Sequence, residues 1–249
     1  MPGVTRAATT RQQEDALLAR PRQAALLTAG VVVVTAVVFA LAADHGTLVR
    51  IQRLDDAWLR LMISGRAPAL TAIAKVFNVL GLVYVTLPVR LALAGFLALR
   101  HRWWHLAAFA AAIVLSEVLI GSLKGIYDRA RPPGSLVATT NASFPTGHAI
   151  AASVTVVAAV IALIPAGRRR TWWGAAAVAF SIVMGLSRAY LAAHWLSDAT
   201  AGILLGTSCA LVTALVADQF QRRRNRLHRP AGTQFLAGVP PARHAEDRR

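Results

Sequence analysis

"AALLTAGVVVVTAVVFALAA", residues 24–43, runs for twenty residues without a charge. At about 1.5 Å per residue such a helix is as long as the hydrocarbon core of a bilayer is thick. A cleaved signal peptide is the competing reading, because Ala40-Leu41-Ala42 resembles a small-residue cleavage site. A polar lead of 23 residues followed by an apolar run of 20 fits an uncleaved span better. Five further segments repeat the pattern: about Leu80 to Leu99, Leu106 to Leu123, Ala149 to Pro165, Trp172 to about Leu191, and about Ala199 to Ala217. The expected fold is therefore all-α, a polytopic bundle of six transmembrane helices.

Charge gives that reading an orientation. The chain of 249 residues is 56% hydrophobic and carries a net charge of +16, a balance that in a soluble protein would suggest nucleic acid as partner. With the N-terminus inside, 17 of the 27 Lys and Arg fall in inner segments and nine in outer ones, with Arg90 alone inside a span. Excess Lys and Arg in cytoplasmic segments is the ordinary membrane-protein bias. Most of the positive charge thus reflects topology, and nucleic acid is not expected as a partner. Both termini are expected in the cytoplasm. Residues 1–23 form an N-terminal segment, 24–217 the membrane domain, and 218–249 a basic, disordered tail whose "QRRRNRLHRP" anchors to anionic lipid.

Trp103, Trp104, Trp172 and Trp173 stand at inner span ends, where indole favours the interface. "LVRIQRLDDAWLRLMIS", residues 48–64, has apolar residues at mixed three- and four-residue spacing, as an amphipathic helix on the outer face requires. Arg90 and Glu117 lie inside spans two and three at depths that allow an ion pair between those helices. A single cysteine, Cys209, excludes an internal disulfide, and no Cys/His metal pattern is present. His45, His101, His105, His228 and His244 fit no motif and read as surface residues, four of them cytoplasmic. Asn141-Ala142-Ser143 matches a glycosylation acceptor, a triplet common by chance.

Two outer loops open on the same side of this topology. One holds "KGIYDRARP" and "SFPTGH", the other "SRAYLAAHWLSD". Lys124, Arg131 and Arg188 bring three cations to one surface, and guanidinium and ammonium groups bind phosphate oxygens. Thr146 offers a hydroxyl and Gly147 an open backbone N–H where a helix begins, a place that attracts anions. His194 and Asp198 are four residues apart, so the carboxylate can hold one ring nitrogen and leave the other as nucleophile. His148 is placed to protonate a departing oxygen. Singly, each feature has an ordinary explanation as a snorkelling lysine, a loop-breaking proline, a helix cap or a capping pair. Their conjunction describes a phosphoryl-transfer site that requires neither metal nor cofactor.

These three motifs, in this order, resemble those of the type-2 phosphatidic acid phosphatase superfamily of integral-membrane lipid phosphatases, with the likeness extending over about residues 70–217. The resemblance implies that Lys124, Arg131, Thr146, Gly147 and Arg188 bind phosphate. It further implies that His194 becomes phosphorylated, Asp198 orients it and His148 serves the leaving group. Thr146 stands where the family usually has serine. The implied substrate is a lipid phosphate or diphosphate, such as a polyprenyl (undecaprenyl) diphosphate, phosphatidylglycerol phosphate or phosphatidate. The site would lie at the outer membrane face, periplasmic or extracellular if the chain is bacterial, as its Ala- and Arg-rich composition suggests. A vanadate-dependent peroxidase and a non-enzymatic lipid-phosphate binder or transporter are the alternatives. Neither the lipid nor the oligomeric state is legible.

Overall fold

Proline and capping residues set the helix starts. Pro21 opens α1 (Pro21–Ala43) and Pro68 opens α3 (Pro68–Leu80), positions where the missing N–H is not needed. Asp44 ends α1 and caps α2 (His45–Ser64), its side chain accepting from the Thr47 amide at 2.8 Å. The remaining helices are α4 (Val83–Leu99), α5 (Trp103–Tyr127), α6 (Gly147–Leu163), α7 (Arg168–Tyr190) and α8 (Leu196–Leu227). The computed structural model describes residues 17–18 and 20–227, and regular structure among them is entirely helical.

Every expected apolar segment lies on a helix, and the chain is a multi-pass membrane protein. The spans do not count simply to six. By length and apolarity α1, α5, α7 and α8 each suffice to cross a bilayer, and α3 with α4, bent by 53° at a short break, makes a fifth. α6 has only 17 residues. It is also among the most enclosed helices, with ten of those residues buried, whereas α1 buries three of 23. The break falls at Gly81-Leu82, so the second apolar segment starts as helix at Val83 rather than at Leu80.

α6 packs among α5, α7 and α8, and small residues let it come close to α8. A Cβ on Gly206 would lie 2.1 Å from Ser153 Oγ and 2.6 Å from the Ile150 carbonyl; one on Gly202 would lie 2.9 Å from the Thr146 carbonyl. Close backbone approach through small residues is how helices associate where lipid supplies no hydrophobic drive. Here it brings the start of α6 against the start of α8.

Other expectations are met or amended. Arg90 and Glu117 do pair, at 2.8 Å, and Arg90 Nε also donates to Thr155 of α6 at 3.0 Å. Trp103 and Trp172 are exposed near the starts of α5 and α7. α2 is present, but its inward side carries Gln52, Asp55 and Leu59, while Leu54 and Leu61 face outward. His105 is not a surface residue: it is buried beside Arg102, whose Nη2 lies 2.9 Å from its Nε2. His101 is exposed, and His228 and His244 lie outside the described residues. α8 runs ten residues past Ala217, so helix occupies the start of the expected tail; residues 1–16, 19 and 228–249 of the two terminal segments lie outside the described residues.

Candidate active site

The last turns of α5 and α7, the first turns of α6 and α8, and the 128–146 connection meet at one end of the bundle. The connection from α7 to α8 is tight. Ala192 adopts φ 52°, and the amides of Ala193 and His194 both donate to the Arg188 carbonyl, at 3.0 and 3.3 Å. Arg188 and His194 are thereby fixed to one another through the backbone.

The His194 imidazole is buried and has a partner at each nitrogen. Nδ1 lies 2.8 Å from the Ser143 carbonyl oxygen, which only accepts, so Nδ1 carries the proton. Nε2 lies 3.1 Å from Nη1 of Arg131, which only donates, so Nε2 presents its lone pair. Two independent partners assign the same tautomer. Burial, reinforced by Arg131 and Arg188 and opposed by Asp198, lowers the pKa of His194 to about 4, so the ring is neutral near pH 7.

Asp198 does not hold the ring as the i,i+4 spacing suggests. His194 precedes α8, and its Nδ1 is 3.7 Å from Asp198 Oδ2, beyond hydrogen-bond reach. The fully buried carboxylate instead accepts from the Trp195 amide at 2.9 Å, from the Ser143 hydroxyl, and from Arg129 Nη1 at 2.7 Å. Ser143 therefore bridges the pair, its carbonyl on His194 and its hydroxyl on Asp198.

The remaining expected residues gather around this pair. Lys124 is not snorkelling: its Nζ donates to Asn141 Oδ1 at 3.0 Å and to the Ala142 carbonyl at 2.6 Å. Arg131 donates Nε to the Asn141 carbonyl at 2.9 Å and Nη1 to the Ala193 carbonyl at 2.7 Å. Arg188 is held by Asn78 of α3 through Nη1. Thr146 precedes α6, yet its hydroxyl makes no capping bond. Thr146 Oγ1, His148 Nε2 and Arg188 Nε are buried polar atoms without a protein partner. Buried polar atoms normally find one, and three around a cationic pocket suit the oxygens of a bound anion. Among the described residues no three His, Cys, Asp or Glu side chains gather as a metal site would require.

Several participants carry no sequence signal of their own. Asn141 stands in a glycosylation triplet, but its side chain is committed to Lys124 and Arg131. Gln52 and Asp55 lie on a helix read as a surface element, and Ser143 and Arg129 look like loop residues until the chain folds. Gly81, at the α3–α4 break, gives His148 its room: a Cβ there would lie 2.2 Å from the ring's Cδ2.

The sequence profile of the PAP2 superfamily matches residues 102–222, which take in all three motifs. The chain belongs to this superfamily. Two solved PAP2-like structures share its fold. The transmembrane PAP2 type phosphatidylglycerolphosphate phosphatase from Bacillus subtilis aligns with a TM-score of 0.59 at 23% identity, over 79% of this chain and 96% of that one. LpxE of Aquifex aeolicus aligns with a TM-score of 0.52 at 25% identity, over 62% and 91%. No curated protein sequence matches the chain. Family and neighbours together support a membrane PAP2-type lipid phosphatase, a phosphoric ester hydrolase.

Proposed function

We propose that the protein hydrolyses a lipid phosphate or polyprenyl diphosphate by a metal-independent route through phosphohistidine. The observation that carries this reading is the orientation of His194, whose Nε2 lone pair is fixed toward Arg131 by partners of opposite kind. Nε2 attacks phosphorus and the P–O bond to the lipid breaks. His148 gives a proton to the leaving oxygen, and water then releases inorganic phosphate from His194. Lys124, Arg131, Arg188, Thr146 and the Gly147 amide hold the equatorial oxygens, whose charge the cations stabilise in the transition state. Asp198 stabilises the imidazolium.

A lipid substrate is favoured by an apolar groove of about 500 Å³ between α4 and α5 that reaches Gly81 and Gly147 at the site. A tail lying there stays in the bilayer while its phosphate meets His194. The distribution of Lys and Arg supports six spans with both termini in the cytoplasm and the site at the outer face. The Bacillus subtilis neighbour makes phosphatidylglycerol phosphate the first substrate to try.

The test is inorganic phosphate release by detergent-purified protein in excess EDTA, with phosphatidylglycerol phosphate, phosphatidate, a polyprenyl diphosphate and a soluble ester, alongside His194→Ala. Release that survives EDTA and vanishes in the variant is expected. Equal release by folded His194→Ala, or none by wild type from any of the four, overturns the proposal.

A further inference from the structure

The charge behind Asp198 raises a question that the motifs do not answer. Arg129 Nη1 donates to Asp198 at 2.7 Å, so a cation sits on the carboxylate that faces the nucleophile. Taken as a pair, Arg129 and Asp198 have no net charge. The charged and titratable groups around His194 are then mostly cationic: Arg131 from the 128–146 connection, Arg188 from α7, and Lys124 from α5, with His148 from α6. Such surroundings oppose the positive charge that a phosphorylated imidazole with a protonated Nδ1 must carry.

α2 supplies the missing anion. Asp55, 3% exposed, accepts from Arg129 Nη2 at 2.8 Å and from the Ser197 amide at 2.9 Å, and Gln52 Oε1 accepts from the same Nη2 at 2.6 Å. The Ser197 hydroxyl lies 2.5 Å from Asp55 Oδ2 and receives Arg129 Nη1 at 2.7 Å. Among the described residues, every polar contact of the carboxylate is to Arg129 or to Ser197 at the start of α8. Asp55, Arg129 and Asp198 together restore one net negative charge on the far side of His194.

We infer that Asp55 is a positioning residue of the reaction: by balancing Arg129 it leaves the negative field of Asp198 available to the imidazolium formed on His194. This rests on the phosphohistidine reading above. In that step the Nε2–P bond forms, the ester P–O bond breaks with its electron pair going to the leaving oxygen, and His148 protonates that oxygen. Nδ1 keeps its proton on the Ser143 carbonyl, and the ring becomes cationic.

Charge and scaffold roles separate in a variant set made in the full-length protein: Asp55→Asn, Arg129→Gln and the double variant. Asparagine retains an acceptor for the Ser197 amide, while it loses the charge and presents an NH2 donor in place of the oxygen that accepts from Arg129 Nη2. The pH midpoint for carbethoxylation of His194 by diethylpyrocarbonate, read by peptide mass spectrometry, reports protonation of Nε2 without turnover. Asp55→Asn is expected to move the midpoint down by about one pH unit and Arg129→Gln to move it up. The double variant, which again leaves one negative charge, is expected to return close to wild type. In phosphate release, kcat of Asp55→Asn is expected to fall about tenfold with KM unchanged. Unmoved midpoints in folded variants, or a double variant displaced further than either single one, overturn the inference. If wild type releases no phosphate while the midpoints move as stated, the phosphatase reading falls and the electrostatic role of Asp55 stands.

Discussion

The Ser143 carbonyl oxygen lies 2.8 Å from Nδ1 of His194, whereas the nearer Asp198 oxygen lies 3.7 Å away. The ring is thus oriented by a backbone group that no side-chain substitution removes, and the carboxylate acts on it by charge and through Ser143. In a serine-protease triad, replacing the aspartate that orients histidine lets the wrong tautomer form and costs about 10⁴-fold. Here Asp198→Asn leaves the Ser143 carbonyl on Nδ1–H, and with it the tautomer, while it removes the charge and one of the two acceptor oxygens. The expected loss in kcat is about 10²-fold, measured by phosphate release. A loss as large as that of His194→Ala would mean that the carboxylate does orient the ring.

In the proposed reaction neutral His194 is the competent form, and burial lowers its pKa to about 4 because the charged form is poorly solvated there. The sign follows directly: above that value Nε2 has its lone pair, and below it the nucleophile is protonated. After correction for ionisation of the substrate phosphate, kcat/KM is expected to stay level from neutral pH to about 5 and to drop below 4. An imidazole at its ordinary value of about 6.5 would already lose activity through pH 6. The pH profile of kcat/KM, with helicity followed by circular dichroism at each point, distinguishes the two.

Gly81 has φ −85° and ψ −6°, a backbone that alanine adopts freely, yet a Cβ would lie 2.2 Å from Cδ2 of His148. Gly81→Ala should displace the ring and little else. Loss of a positioned proton donor is expected to lower kcat by about 10²-fold while the thermal midpoint in detergent changes little. Full activity in this variant would remove His148 from the leaving-group role.

Arg90 and Glu117 test the asymmetry of a membrane-buried pair. Arg90 is buried and binds Thr155 as well as Glu117, while the Glu117 side chain is 53% exposed to the groove. Arg90→Ala forfeits contacts on two neighbouring helices and is expected to cost about 2 kcal/mol. Glu117→Ala leaves Arg90 its Thr155 partner and is expected to cost about 1 kcal/mol or less. Thermal unfolding in detergent reads both. If neither variant shifts the midpoint, the pair is not structural.

The helical class and seven of the eight described helices were legible because long apolar runs bounded by proline, tryptophan and arginine have few other solutions in a bilayer, whereas α3 fell in a stretch read as an outer connection. The eight expected site residues, chosen because phosphate chemistry restricts residue type, lie together at one end of the bundle. What stayed hidden depended on tertiary placement. His105 looks like any polar residue near a helix start, and only packing buries it beside Arg102. Asp55 sits on a helix whose pattern of leucines suggests a surface strip, but it lies on the buried side of that helix together with Leu59. The i,i+4 spacing of His194 and Asp198 promised a direct hydrogen bond, which the turn before α8 prevents.

The superfamily match begins at residue 102, yet Asn78 that grips Arg188, Gly81 that makes space for His148, and Asp55 that balances Arg129 all precede it. A protein trimmed to the matched core would keep every motif letter and lose three of their supports. The structural unit of the proposed site is accordingly larger than its motifs: three residues from the first hundred hold side chains of the motifs without being letters of them.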